Sequence, residues 1–434
     1  VTTPPATGES RGARRFLAAW ALLTLPLLLG DRALAYDDHL EPAVLWQQER
    51  ALPAPDACWE CHQPPLYYAL EAAAFSLAGA ETASARLALA RVLTFALAAL
   101  LWGVGWILAR RLGRSPRERL FAWLFFLTLP ACFLLHVTLS NDVPAVALSG
   151  LAFATLARLS ARGAPAGALA WGATGLLAGL AVLAKTTALP VAGVVVLAAL
   201  LMGGVGAPRW KAALAALAGV FAPVAPWLAR NLAATGGLLP LRMQRQVYAP
   251  ADPGYFTSFR FLDLLAEPFQ RLPGATFLSH LDTPGPVDGS WLTRLYSLFF
   301  HESLGYLPPL WPPLVAALYL AGLVVVGFVL VGAWRAIRGP RPEPLDRLAL
   351  LLVAASFALL VAFNLAYPSR LLVHGKAVFV MPAWPALLLL YVRGVQAARE
   401  WAGGRAAGAV YSAHLIVQAL FVAHAFAVIV SLVG

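Results

Sequence analysis

An aspartate pair, an Asn-Asp pair and a scatter of single cations stand out in a chain that is otherwise poor in charge. Asp37 and Asp38 lie in "YDDH", and Asn141 and Asp142 lie in "LSNDVPAVAL". Lys185 interrupts "GLLAGLAVLAKTTALP", and Arg230 and Asn231 sit in "PWLARNLAATG". Arg370, His374 and Lys376 fall in "YPSRLLVHGKAVFVMPAWP". Carboxylates beside several cations suit a displacement with an anionic leaving group. One acid takes a proton from the nucleophile, and the cations hold the departing charge. Each residue also has an ordinary use: a Lys or Arg at the end of a membrane helix snorkels to the headgroups, and an Asp caps a helix. What sets the group apart is that one topology brings all its members to one side of a membrane.

A further stretch, "CWECHQPPLYY", begins with C-x-x-C-H, the attachment pattern of c-type haem. On that reading Cys58 and Cys61 carry thioethers and His62 is an axial ligand. Three other readings stand beside it. The cysteines could close a small disulfide loop in an oxidising compartment, remain free thiols, or bind zinc with His39 or His62. The disulfide is the favoured one. Cys132, inside an apolar run, reads as an inert small hydrophobe.

The elements that must position these residues are membrane helices. The chain has 434 residues, of which 60% are hydrophobic and 12% charged, against about 25% charged in a soluble domain. That leaves too little polar surface to cover a water-soluble globule. Apolar runs long enough to cross a bilayer recur from end to end. They predict an all-α, polytopic bundle with spans at residues 16–35, 87–109, 120–139, 143–159, 168–184, 189–203, 212–228, 310–332, 348–367, 378–392 and 408–432. The first run has the look of a secretory signal, with an A-x-A site at 33–35, and is read as a retained helix. Two longer outer segments, 36–86 and 234–309, carry short helices. Val44, Leu45 and Leu52 would form one face of a helix lying on the membrane surface. Residues 1–434 read as one membrane domain.

The net charge of +11 is carried largely by arginine, in blocks such as "RRLGRSPRER", "WRAIRGPRPEPLDR" and "RGVQAAREWAGGR" between apolar runs. Such blocks mark cytoplasmic loops. No basic tail with interleaved aromatics points to nucleic acid. With the N-terminus inside, cations lean to the inner side and acids to the outer. Asp37–Asp38, Asn141–Asp142, Lys185, Arg230 and the 370–376 cations then all sit at outer helix ends. Sugars linked to polyprenyl phosphate fit this placement, because their tail partitions into lipid while their phosphate stays at headgroup level. An Asp would deprotonate the acceptor hydroxyl, Lys and Arg would hold the leaving phosphate, and a single displacement would invert the anomeric carbon.

In order along the chain, "YDDH", "HQPPLYYAL", "SND", "GLLAGLAVLAKTTALP", "PWLARNLAATG" and "HGKAVFVMPAWPAL" resemble the GT-C superfamily of membrane glycosyltransferases, particularly its family 39, protein-mannosyltransferase-like branch. The resemblance implies a catalytic base at Asp37, with Asp38 where the family commonly has Glu. It implies a second acidic position at Asp142, which shapes the site or, in some relatives, a metal site. It also implies a lipid-phosphate or sugar pocket drawn from Lys185, Arg230 and Lys376, and His62, Asn141, Asn231 and Arg370 are further candidates for binding substrate. The late motif departs from the family, with Lys376-Ala377 where relatives often have Arg-Tyr. Lys and Arg are not equivalent at a bidentate phosphate site.

The expected partners are a polyprenyl-phosphate-linked sugar, a lipid, glycan or protein acceptor, and membrane lipids. A divalent cation, magnesium or manganese, is compatible with the acidic positions without being required by them. The expected location is a bacterial inner membrane, with the site on its periplasmic face. Competing readings are the haem-bearing electron-transfer subunit, for which the outer segment leaves little burying chain, and an inactive scaffold of the same fold. A transporter or flippase should instead show internal repeats and polar groups at the bilayer midplane.

Overall fold

The computed structural model describes residues 39–135, 138–160, 167–203, 208–239, 310–339, 343–366 and 377–433, with a few positions near 18–25 and 295–300. The described part is built of helices. A short α1 (Glu41–Glu49) and α2 (Leu66–Leu77) precede the long α3 (Ala83–Leu112). Then come α4 (Pro116–Thr128), α5 (Pro130–Leu134), α6 (Asp142–Leu159), α7 (Ala168–Ala184), α8 (Leu189–Met202) and α9 (Arg209–Thr235). The last four are α10 (Pro312–Arg338), α11 (Pro344–Ala366), α12 (Trp384–Ala402) and α13 (Gly404–Val433). Among the described residues, six helices are long and apolar enough to cross a membrane: α3, α6, α9, α10, α11 and α13. Large apolar side chains stay exposed along α10 (Leu320, Leu330, Trp334) and α13 (Ile416, Phe426, Val430). A lipid-facing helix requires that exposure, whereas a water-soluble protein avoids it. The chain is a polytopic helical membrane protein.

Several expected spans change shape for local reasons. The run 120–139 is two helices broken at Leu129, whose backbone leaves the helical region (φ −52°, ψ 127°) just before Pro130. Proline disfavours helical geometry in the residue before it and supplies no N–H to the carbonyl four residues back. That carbonyl, on Phe126, accepts instead from the Trp384 indole N–H at 3.1 Å. The expected span 378–392 begins later, with α12 at Trp384 after 3-10 turns at Ala377–Phe379 and Met381–Ala383, and extends to Ala402. The surface helix expected around 44–52 ends at Glu49, and Arg50 turns left-handed (φ 54°), so Leu52 lies outside it. Of the first expected span, only positions between 18 and 25 are described, and they are helical. Most of the second outer segment lies outside the described residues.

Ion pairs gather at one end of the bundle. Glu400 joins Arg114 and Arg335 at 2.6 and 2.7 Å, and Arg399 meets Glu118 at 3.3 Å. Arg393 meets Glu343 at 2.7 Å and Asp346 at 3.2 Å. By chain direction this end lies opposite the turn before α6 and the end of α7, where the polar site forms.

The helices approach closely through small residues. A Cβ on Gly175 or Gly219 would overlap backbone of the facing helix in the α7–α9 pair, and one on Gly332 would overlap the Leu390 carbonyl of α12. Within a membrane, where lipid is as apolar as leucine, such backbone proximity supplies the packing energy. Gly332→Leu should force α10 from α12 and cost on the order of 3 kcal/mol. Gly327→Leu on the same helix, where nothing lies within 4 Å, should be nearly neutral. Thermal unfolding in detergent checks the difference, and equal midpoints would contradict the close contact.

Candidate functional site

The loop before α6 and the break after α7 create a buried charge pair. Ser140 and Asn141 precede α6, and Asp142 is its first residue, so its carboxylate faces the positive end of the helix. Ser140 Oγ accepts the Asp142 backbone N–H at 3.1 Å and donates to Asp142 Oδ2 at 2.7 Å. Helix α7 stops at Ala184. Lys185 is extended (φ −156°, ψ 134°), and a 3-10 turn, Thr186–Ala188, leads into α8 with Pro190 in its first turn. The break lets Lys185 Nζ reach Asp142 Oδ2 at 2.6 Å, with the two residues 7% and 5% exposed. Nζ also lies 5.5 Å from the centre of the Phe379 ring, so the described end of the late motif packs at the same point. Asp142 Oδ1 has no hydrogen-bond partner among the described residues, which leaves a buried acceptor available.

A second set of contacts ties the first outer segment to this pair. Pro64 and Pro65 precede α2, with Pro65 as its N-cap residue. Tyr68 then reaches Asn141, whose Nδ2–H donates to the phenol oxygen at 3.3 Å, and the same oxygen lies 2.9 Å from His39 Nδ1. Segments around positions 39, 68, 141, 185 and 379 thus form one connected cluster. Tyr68, His39, Ser140 and Phe379 were not singled out by sequence for this role. The only signal was Tyr68's place in the "HQPPLYY" motif, since neither its type nor its spacing announces a partner 73 residues away.

The remaining expected positions divide. Arg230 donates through Nη2 to the Pro53 carbonyl of the first outer segment, and its Nη1 has no partner among the described residues. Asn231 donates to the Leu238 carbonyl at 3.2 Å, closing the turn through Gly236 at the end of α9, a structural use. Asp37, Asp38, Arg370, His374 and Lys376 lie outside the described residues. Cys58 and Cys61 form a disulfide. With both sulfurs joined, neither is available for a thioether to haem or as a zinc ligand.

His62, just after the disulfide, is 6% exposed. Burial pushes its imidazole down to about 4, against the opposing effect of a hydrogen bond to the Trp59 backbone. It is therefore neutral near pH 7 and adds no cation to the site. Glu71, fully buried on α2, is pushed up to about 8 by burial, which keeps it from adding a second anion. Among the described residues no group of three His, Cys, Asp or Glu side chains gathers to hold a metal ion.

No family model matches the sequence, and no curated protein matches it. Solved structures do match in shape. ArnT from Cupriavidus metallidurans, bound to undecaprenyl phosphate, superposes with a TM-score of 0.57 at 15% identity, covering 97% of this chain and 77% of that one. The chain has the GT-C fold. The archaeal oligosaccharyltransferase AglB from Archaeoglobus fulgidus, in complex with an inhibitory peptide and a dolichol-phosphate, gives 0.55 at 12% identity, covering 98% of this chain and 57% of that one. The Archaeoglobus fulgidus oligosaccharyltransferase in complex with Zn and sulfate gives 0.51 at 14% identity, over 93% and 52%. The chain thus spans little more than half the length of the archaeal proteins.

Two outcomes test the site's energetics. Lys185→Met strands a buried carboxylate and should cost roughly 3–5 kcal/mol, while adding Asp142→Leu should restore much of that stability. A Lys185→Met midpoint equal to the wild type's in detergent would contradict a buried pair. For His62, the unfolded chain takes up its proton near pH 6.5 and the folded chain only near 4. Stability therefore falls as pH drops through that window, by up to about 3 kcal/mol. His62→Gln should flatten this part of the stability profile, and an unchanged acid limb would show that His62 does not titrate this way.

Proposed function

We propose that the protein is an inverting glycosyltransferase that moves a sugar from a polyprenyl-phosphate donor to a lipid, glycan or protein acceptor. The observation that carries this reading is the buried Asp142–Lys185 pair. It sits in a GT-C fold, where the first outer segment, the second acidic loop and the late motif meet. The fold likeness to proteins bound to undecaprenyl phosphate and dolichol-phosphate and the sequence resemblance to family 39 support the same choice.

In this reading Asp37 takes the proton of the acceptor hydroxyl. The hydroxyl oxygen attacks the anomeric carbon as the bond to the phosphate oxygen breaks, and the electron pair leaves with the polyprenyl phosphate. The departing charge needs cations. Lys185 spends one donor on Asp142 and retains others for a phosphate. Arg230 keeps one guanidinium nitrogen unpaired and can engage a phosphate in its planar fork. Lys376 and Arg370 are the further candidates. His62, being neutral, and Asn141 act through hydrogen bonds. Asp142 shapes the site by fixing Lys185, and its unpartnered Oδ1 would be the place for a divalent cation to touch this part of the site.

The arginine-rich end belongs in the cytoplasm by the positive-inside rule, which puts the reacting end on the periplasmic face of a bacterial inner membrane. The Cys58–Cys61 disulfide fits such an oxidising compartment. Asp37→Asn should lower transfer from a polyprenyl-phosphate sugar by roughly 100- to 10,000-fold, the usual contribution of a general base. Binding of the polyprenyl phosphate alone should persist. Unchanged transfer by that variant would remove Asp37 from the role of base.

A further inference from the structure

The hydroxyl of Tyr68 bonds two loops at once. Its oxygen lies 2.9 Å from His39 Nδ1 and accepts the Asn141 Nδ2–H at 3.3 Å. His39 directly follows Asp38, and Asn141 directly precedes Asp142. The three side chains are buried, at 2% exposure for Tyr68, 3% for His39 and 0% for Asn141. The His39 ring also stacks on the Tyr68 ring, with centroids 6.1 Å apart and planes 24° apart. A buried hydrogen bond is costly to break because the groups left behind lose their partner and regain no water. Neither loop can therefore shift relative to α2 without breaking one of these bonds.

We propose that Tyr68 is a positioning residue that holds His39 and Asn141, the sequence neighbours of Asp38 and Asp142, in register with each other. This rests on the transferase reading and goes beyond it, by assigning the register to a single oxygen that belongs to neither acidic segment. The adjacent Tyr67 supplies a built-in contrast. It is equally buried, with 0% exposure, but its hydroxyl is directed to Glu71 on α2 and Thr94 on α3. The two tyrosines of "PPLYY" thus have different work: Tyr67 fills the space between α2 and α3, while Tyr68 links loops. Positioning matters at this scale because a displacement of about 1 Å at reacting groups can cost roughly 100-fold in rate.

The test compares Tyr68→Phe and Tyr67→Phe in the full-length protein in detergent. Amide hydrogen exchange is followed in the peptides containing His39 and Asn141, and transfer kinetics with a polyprenyl-phosphate sugar. Tyr68→Phe should raise exchange roughly tenfold in both peptides at once, as expected for lost buried hydrogen bonds. It should lower kcat by roughly 10- to 100-fold and leave the donor KM within about twofold. Tyr67→Phe should change neither. Exchange that rises in only one peptide or in neither, or a lowered midpoint with kcat per folded molecule intact, would overturn the proposal. Wild-type protein that transfers no sugar from such donors would defeat the transferase reading, and the exchange arm would still decide whether Tyr68 links the loops.

Discussion

The structure depends on a charge pair that is hard to bury. Asp142 and Lys185 meet at 2.6 Å with almost no exposure. Taking two such groups out of water costs several kcal/mol each, returned only by good geometry and further hydrogen bonds. The surrounding chain provides those conditions. Helix α6 begins at the aspartate, so its positive end faces the carboxylate, and Ser140 adds a hydrogen bond. Helix α7 ends one residue before the lysine, which frees Nζ to turn inward. Phe379 covers the ammonium from the late motif. Apolar residues of similar volume are often as stable at such a position, and the proposed function is one reason to keep a charge pair there.

The rest of the bundle keeps that pair fixed in a solvent where apolar contact alone does not hold helices together. Glycines let α7 approach α9 and α10 approach α12 to backbone contact. At the opposite end, carboxylates of α4, α11 and α12 knit the arginines into pairs. The two ends have different charge logic. One neutralises arginine after arginine with several acids, from the exposed Glu343 to the buried Asp346, and the other buries a single pair and leaves Asp142 Oδ1 and Arg230 Nη1 unpartnered.

Much of this was legible in the sequence, because a bilayer imposes a strong pattern. Long apolar runs, arginine blocks and a few ionisable residues at helix ends define the spans and the polar end. Lys185 was visible as the one charge in "GLAVLAKTTALP". The breaks were harder to see. Pro130 signals a kink, yet the Trp384 indole that repairs it lies 258 residues away. Asn231 looked like a substrate ligand, but its amide is needed by the Leu238 carbonyl. The haem pattern at 58–62 was a coincidence of spacing that only the sulfur–sulfur bond resolves. Tyr68 was hidden because its role comes from two loops folding onto it, and no local periodicity encodes that.

The central claim is that the Asp142–Lys185 end receives the phosphate of a polyprenyl lipid. A density map of the purified protein with added polyprenyl phosphate tests it most directly. The expected result is a phosphate about 3 Å from Lys185 Nζ or the free Arg230 nitrogen, with the lipid tail leaving along the bundle surface. A phosphate held instead at the arginine-rich end, near Arg117 and Arg399, with the Lys185 end empty, would contradict it.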